Sequence, residues 1–143
     1  LGWIAASQKV MDGVKKINVS AATHVATFLM PAAETALKLT EEVEMMTESF
    51  RSRRVAAHEA FSSLPGVVVP EPEGAFYILC DIAGTGMTDI EFATLALKEA
   101  KVQVIPGSLM EGGEGLIRIS YATSLENIHE GVRRLKTWLE QRS

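Results

Sequence analysis

The run Leu116-Ile117-Arg118-Ile119-Ser120-Tyr121-Ala122 sets a guanidinium inside an apolar stretch of strand character. Strand alternation puts Ile117, Ile119 and Tyr121 on one face and Leu116, Arg118, Ser120 and Ala122 on the other. The Arg118 face of this run holds no acid. A buried arginine without a partner is costly, so the charge must find an acid elsewhere in the fold, reach solvent, or receive an anionic ligand. The residues alone leave these three readings open.

Other chemistries fall away by spacing. Gly107-Ser108-Leu109-Met110 lacks the second glycine of a nucleophile elbow. His58-Glu59 and His129-Glu130 each begin a zinc-protease helix motif, but Ser62 and Arg133 stand where its second histidine belongs, so no metal site is expected. These histidines belong on solvated or half-buried helix faces. Gly112-Gly113-Glu114-Gly115 is not followed by Lys-Ser/Thr, so it reads as a mobile turn rather than a phosphate loop. Cys80 lies mid-strand and reads as a buried, inert thiol. Arg51, Arg53 and Arg54 read as a solvated helix face.

The elements that must position Arg118 are legible from periodicity. Leu1 to Ala6 is an uninterrupted apolar run of the kind buried on both faces of a parallel sheet. No other strand candidate follows until Val67, so the chain is expected to be the C-terminal part of something longer; an edge strand on its own domain is the alternative. Ser7 could cap a helix carrying Val10, Met11, Val14 and Ile17 on one face. Val25, Phe28, Leu29, Ala32, Ala33 and Ala36 then keep a helical period across Pro31, which predicts a kink. Thr40, with Glu41 and Glu42 behind it, predicts a further start, and Val43 to Leu64 continue the spacing. The expectation is one long, kinked helical arm over 25–64.

Beyond Pro65 the pattern shortens. Strands are expected at Val67–Val69, Phe76–Asp81, Val102–Ile105 and Leu116–Ala122. Thr88 with Glu91 forms a capping box for a helix with a stripe of Ile90, Ala93, Leu97 and Ala100. Ser124 caps a last helix with Leu125, Ile128, Val132, Leu135 and Leu139 inward. The order strand-strand-helix-strand-strand-helix predicts an α/β (α+β) small domain, a small mixed sheet with helices on one face and a right-handed crossover. The expected domains are 1–24, the end of a larger domain; 25–64, a connector; and 65–143, the small domain.

Composition bounds the function. The chain has 143 residues, a net charge of −4, and globular fractions of 47% hydrophobic and 22% charged residues. Mild acidity argues against nucleic acid as a partner. The longest stretch free of Asp, Glu, Lys and Arg, Ile17 to Ala33, is shorter than the ~20 residues of a spanning helix, so no membrane is expected. A single cysteine excludes an internal disulfide and fits a reducing, cytoplasmic setting.

Four stretches, in order, carry a family likeness: Gly2-Trp3; Pro72-Glu73-Gly74-Ala75-Phe76-Tyr77; Val104-Ile105-Pro106-Gly107-Ser108; and Gly115 to Ser124 followed by Glu126-Asn127. In these the chain resembles the C-terminal portion of class I/II, fold-type-I aminotransferases that depend on pyridoxal phosphate. The resemblance implies a homodimer acting on an α-amino acid and a 2-oxo acid. It implies that Arg118 grips the substrate α-carboxylate, a task that planar, bidentate pairing suits. It implies that Phe76 lies near the substrate and that Thr23 reaches the cofactor phosphate of the partner subunit, as a hydroxyl at a helix N-terminus would. A plain helix cap at Thr23 uses the same geometry, and Phe76 could equally be core. The family's imine lysine falls before Gly2-Trp3, and its phosphate-binding arginine before Leu1; Lys9, Lys15 and Lys16 follow the motif and do not replace that lysine. No catalytic residue is therefore expected in this chain, which should be inactive alone. The alternatives are a carbon–sulfur lyase of the same fold and a non-catalytic strand-helix-strand module for binding or dimerisation.

Overall fold

The computed structural model describes residues 1–142. The chain divides into two compact units, Leu1–Met45 and the part from Met46 onward.

In the first unit, helix α1 spans Gln8–Ala21. Ser7 has the extended backbone of an N-cap, but its side chain makes no capping bond. On the expected apolar face Met11 and Val14 are half-buried, while Val10 and Ile17 stay exposed. Leu1 to Ala6 form no strand and are exposed. A strand of that composition takes its stability from neighbours on either side, and the described residues of this unit contain no strand to pair with it. The arm expected over 25–64 is not continuous. A 3₁₀ turn, Thr27–Leu29, leads into α2, Met30–Ala36, and a turn at Leu37 precedes α3, Thr40–Phe61. Pro31 sits in the first turn of α2 rather than in a helix interior. Its missing N–H costs nothing there, because the first amides of a helix have no intrahelical acceptor.

The second unit holds the core. Strands β1 (Tyr77–Asp81), β2 (Ile105–Pro106) and β3 (Leu116–Ser120) form a sheet in the order β1-β3-β2. Both pairings are antiparallel, so the sheet is not mixed. β1 and β2 run parallel to each other across a helical crossover, but β3 lies between them and pairs with both. Val67–Val69 contributes one bridge, Val68 to Asp81, instead of a strand. Pro70 and Pro72 follow at once, and proline has no N–H to extend a ladder.

Ile78 and Cys80 of β1 and Ile117 and Ile119 of β3 form the inner face. They join Ala57 and Phe61 of α3, Phe92 of α4 (Asp89–Leu95) and the buried face of α5 (Leu125–Glu140) in one core. The capping box at Thr88–Glu91 forms in both directions, and Ser124 caps α5 by accepting the Asn127 N–H. The buried stripe after Thr88 is Phe92, Ala96 and Ala100, while Ile90 is 58% and Leu97 52% exposed. α4 passes into a π-turn, Ala96–Ala100, that ends at a left-handed Lys101. In α5 Ile128, Val132, Leu135, Trp138 and Leu139 are buried, and Leu125 stays at the edge.

Candidate functional site: an arginine without an acid

Arg118 projects from the middle of β3 on the side away from the core, between Leu79 of β1 and Ile105 of β2 in the two ladders. Leu79 is 44% exposed, so the helices of this unit, which pack on the inner face, leave this face partly open. The Arg118 guanidinium lies 4.6 Å from the centre of the Tyr77 ring. Tyr77 pairs with Ser120, one diagonal step from Arg118, within reach of an aromatic side chain. The Arg118 Nη1 also approaches the Met110 Sδ at 3.9 Å, a weak sulfur contact. No carboxylate among the described residues forms an ion pair with Arg118.

Two acids of the same unit are otherwise engaged. Asp81 shares the outer face with Arg118 but accepts the Ala83 N–H at 2.8 Å. Asp89, buried at the start of α4, accepts the Ser108 N–H at 2.7 Å. Hydrogen bonds from Ser108 and the amides of the first helical turn hold the Asp89 carboxyl below the usual carboxylate range. That bond ties α4 to the loop after β2. Gly107 in this loop meets Gly113 backbone to backbone: a Cβ on Gly107 would lie 1.9 Å from the Gly113 oxygen. The glycine-rich turn expected to be mobile is thus built against its neighbour. It brings Met110 to Arg118.

Phe76 is half-open, with 39% of its surface exposed. Its ring centre lies 4.2 Å from that of Tyr77 and 6.2 Å from that of Phe50 on α3. Phe50 in turn meets Tyr121 at 6.5 Å. The buried Tyr121 hydroxyl donates to the Ala75 carbonyl at 2.8 Å, and burial pushes its pKa up against the opposing charge of Arg54. Arg54 points toward the Glu73 carbonyl at 3.5 Å, and the His58 Nε2 lies 3.1 Å from the Val69 carbonyl. Helix α3 therefore fastens both ends of the segment 69–76, and an aromatic series runs from Tyr121 to Arg118. A half-desolvated cation over a tyrosine face contributes about 0.5–2 kcal/mol.

Of the three sequence-selected residues, Arg118 and Phe76 belong to this neighbourhood through Tyr77. Thr23 lies in the first unit. It is not at a helix N-terminus: it follows the C-terminus of α1, with φ of 60° and its N–H donating to the Asn18 carbonyl. A β-branched residue is rare in that left-handed region. Sequence reading missed Tyr77 and Met110. The adjacent aromatic pair Phe76-Tyr77 was a signal, but the register that sets Tyr77 diagonal to Arg118 was not visible. The solvated face holds Arg51, which pairs with Glu48 in solvent, but not Arg54, one turn of helix away, which points toward the Glu73 carbonyl. The described residues hold no group of three His, Cys, Asp or Glu fit for a metal ion.

A sheet face with an acid-free arginine set on aromatic rings is suited to an anion arriving from outside the unit. Residues 1–135 match the family model for aminotransferase class I and II. An aspartate aminotransferase of Pyrococcus horikoshii is 38% identical over 98% of this chain, and an aromatic-amino-acid aminotransferase of Thermococcus litoralis is 36% identical over 99%. The crystal structure of an aromatic aminotransferase from Pyrococcus horikoshii matches 96% of the chain with a TM-score of 0.90 at 37% identity. That of an aspartate aminotransferase from Rhizobium meliloti matches 92% with a TM-score of 0.85 at 27% identity. The chain spans 37% of the length of both curated relatives. On the sequence match and the fold together, the chain belongs to the class I and II aminotransferases.

Proposed function

We propose that this chain is the C-terminal portion of a pyridoxal-phosphate-dependent aminotransferase and that Arg118 binds the α-carboxylate of its amino-acid and 2-oxo-acid substrates. The observation that carries this reading is a guanidinium on an open sheet face with no acid among the described residues. Among the described residues Nη1 has only the sulfur of Met110, which leaves the planar donor edge for a bidentate carboxylate. Gripping the carboxylate holds the α-carbon in one orientation and so selects which of its bonds reacts. Phe76, half-open beside Tyr77, offers an apolar wall to the same ligand.

Pyridoxal phosphate, when bound in the complete protein, supplies the electron sink for α-carbon chemistry. The described residues fit one part of that assembly, the carboxylate grip. Thr23 offers an exposed hydroxyl that we assign to the cofactor phosphate of a partner subunit in a cytoplasmic homodimer. We assign residues 1–24 to the end of the large domain, 25–64 to the connector and 65–143 to the small domain. Alone, the 143 residues bind the carboxylate poorly and transfer no amino group.

The test uses full-length protein loaded with cofactor. Arg118→Ala is expected to raise KM for the amino donor and the 2-oxo acid by about 10–150-fold, the value of one charged hydrogen-bonded pair. Arg118→Lys recovers only part of this, because an ammonium lacks the planar fork. An unchanged KM in Arg118→Ala, with only the melting temperature lowered, would remove the carboxylate role.

A further inference from the structure

We propose that Tyr77 is the positioning residue of Arg118: its ring face bears the guanidinium charge in place of a carboxylate and leaves the in-plane N–H donors to the substrate. The inference rests on the carboxylate reading of Arg118 and says how that arginine is kept available. An arginine in a half-buried site needs some partner for its charge. An acidic partner would satisfy the charge but take the N–H donors at the guanidinium edge, and it would compete with an incoming carboxylate. An aromatic ring attracts the cation through its face and takes none of those edge donors. The guanidinium carbon lies 4.6 Å from the Tyr77 ring centre, and the sole further partner among the described residues is a thioether, a weak acceptor.

The ring is itself held. It packs on Phe76 at 4.2 Å, Phe76 on Phe50 at 6.2 Å, and the segment before it is tied down by the Tyr121 hydroxyl on the Ala75 carbonyl. The strand register sets Tyr77 opposite Ser120, so the ring reaches Arg118 along the diagonal. Aromaticity is the property used, and the reactive plane of the substrate inherits its orientation from this ring through Arg118.

The experiment measures KM and kcat for full-length, cofactor-loaded protein. Tyr77→Leu is expected to raise KM for both amino acid and 2-oxo acid by about tenfold, the scale of a partly desolvated cation–π contact, while kcat changes by less than about threefold. Tyr77→Phe recovers the loss, and in an Arg118→Ala background Tyr77→Leu has no further effect on KM. Met110→Glu, on a half-buried loop position, supplies the competing acid and also raises KM by about tenfold. It gives an independent reading should Tyr77→Leu fail to fold. The inference is overturned if Arg118→Ala raises KM but Tyr77→Leu or Met110→Glu leaves it unchanged, or if Tyr77→Phe behaves like Tyr77→Leu. If Arg118→Ala itself leaves KM unchanged, the carboxylate reading falls, and this inference falls with it.

Discussion

Arg118 and Cys80 stand in adjacent strands of one sheet and face opposite ways, and their chemistry follows from that. Arg118 keeps its charge at an open face, whereas Cys80 is fully buried and desolvation pushes its thiol up to about 12. At pH 8 the thiol is therefore protonated and shielded. Ellman's reagent should label it only when denaturant is added; labelling of the native protein at the denatured rate would contradict its burial. Glu130 shows the reverse sign. Bonds from Arg133 and Arg134 lower its carboxyl to about 2. A carboxyl depressed in the folded state adds stability above its unfolded value of about 4.5 and loses it as the pH falls toward 2. The side chains are exposed, so the contribution is small and screened by salt. Glu130→Gln should flatten the dependence of melting temperature on pH over that window and leave the temperature at pH 2 almost unchanged.

At the scale of elements, the site depends on loops that pack as closely as the core does. Gly107 and Gly113 touch through their backbones, so Gly107→Ala cannot be accommodated by moving a flexible side chain. It should cost about 1–3 kcal/mol in urea denaturation, as overpacking does, and it should displace Met110 from Arg118. Gly131 in α5 has open space around its would-be Cβ. Gly131→Ala should stabilise by about 0.5–1 kcal/mol, the usual gain for a helix interior. Equal effects at the two glycines would disprove the close approach. Thr88→Ala, which removes the hydroxyl half of the capping box and keeps the backbone N–H bond to Glu91, should cost about 1 kcal/mol.

At the scale of the whole chain, apolar burial is confined to one unit. Among the described residues every buried apolar side chain lies at Ala57 or later. The first unit leaves Trp3, Phe28 and many aliphatic side chains open to solvent, far more apolar surface than a self-sufficient unit exposes. In the 143-residue chain, amide exchange should therefore be slow in β1, β3, α4 and α5 and close to the unprotected rate in α1 and α2. Slow exchange in α1 of the monomeric chain would show that the unit is stable by its own contacts.

The sequence by itself determined the local features. Thr88-Glu91 and Ser124 capped their helices because capping is a contact within four residues, and Ile117, Ile119 and Tyr121 faced inward because strand alternation has a period of two. The motif around Arg118 also carried the family. Tertiary structure decided what depends on partners distant in sequence. Leu1 to Ala6 are not a strand, since apolar composition supplies no neighbour. Val67 to Val69 make only a bridge, and β3 sits between β1 and β2 to make the sheet antiparallel. Above all, pairing register brought Tyr77 beneath Arg118 and kept Asp81 on Ala83, so an aromatic face rather than an acid meets the charge. Register is set by the hydrogen bonds between strands, and no window of neighbouring residues contains it.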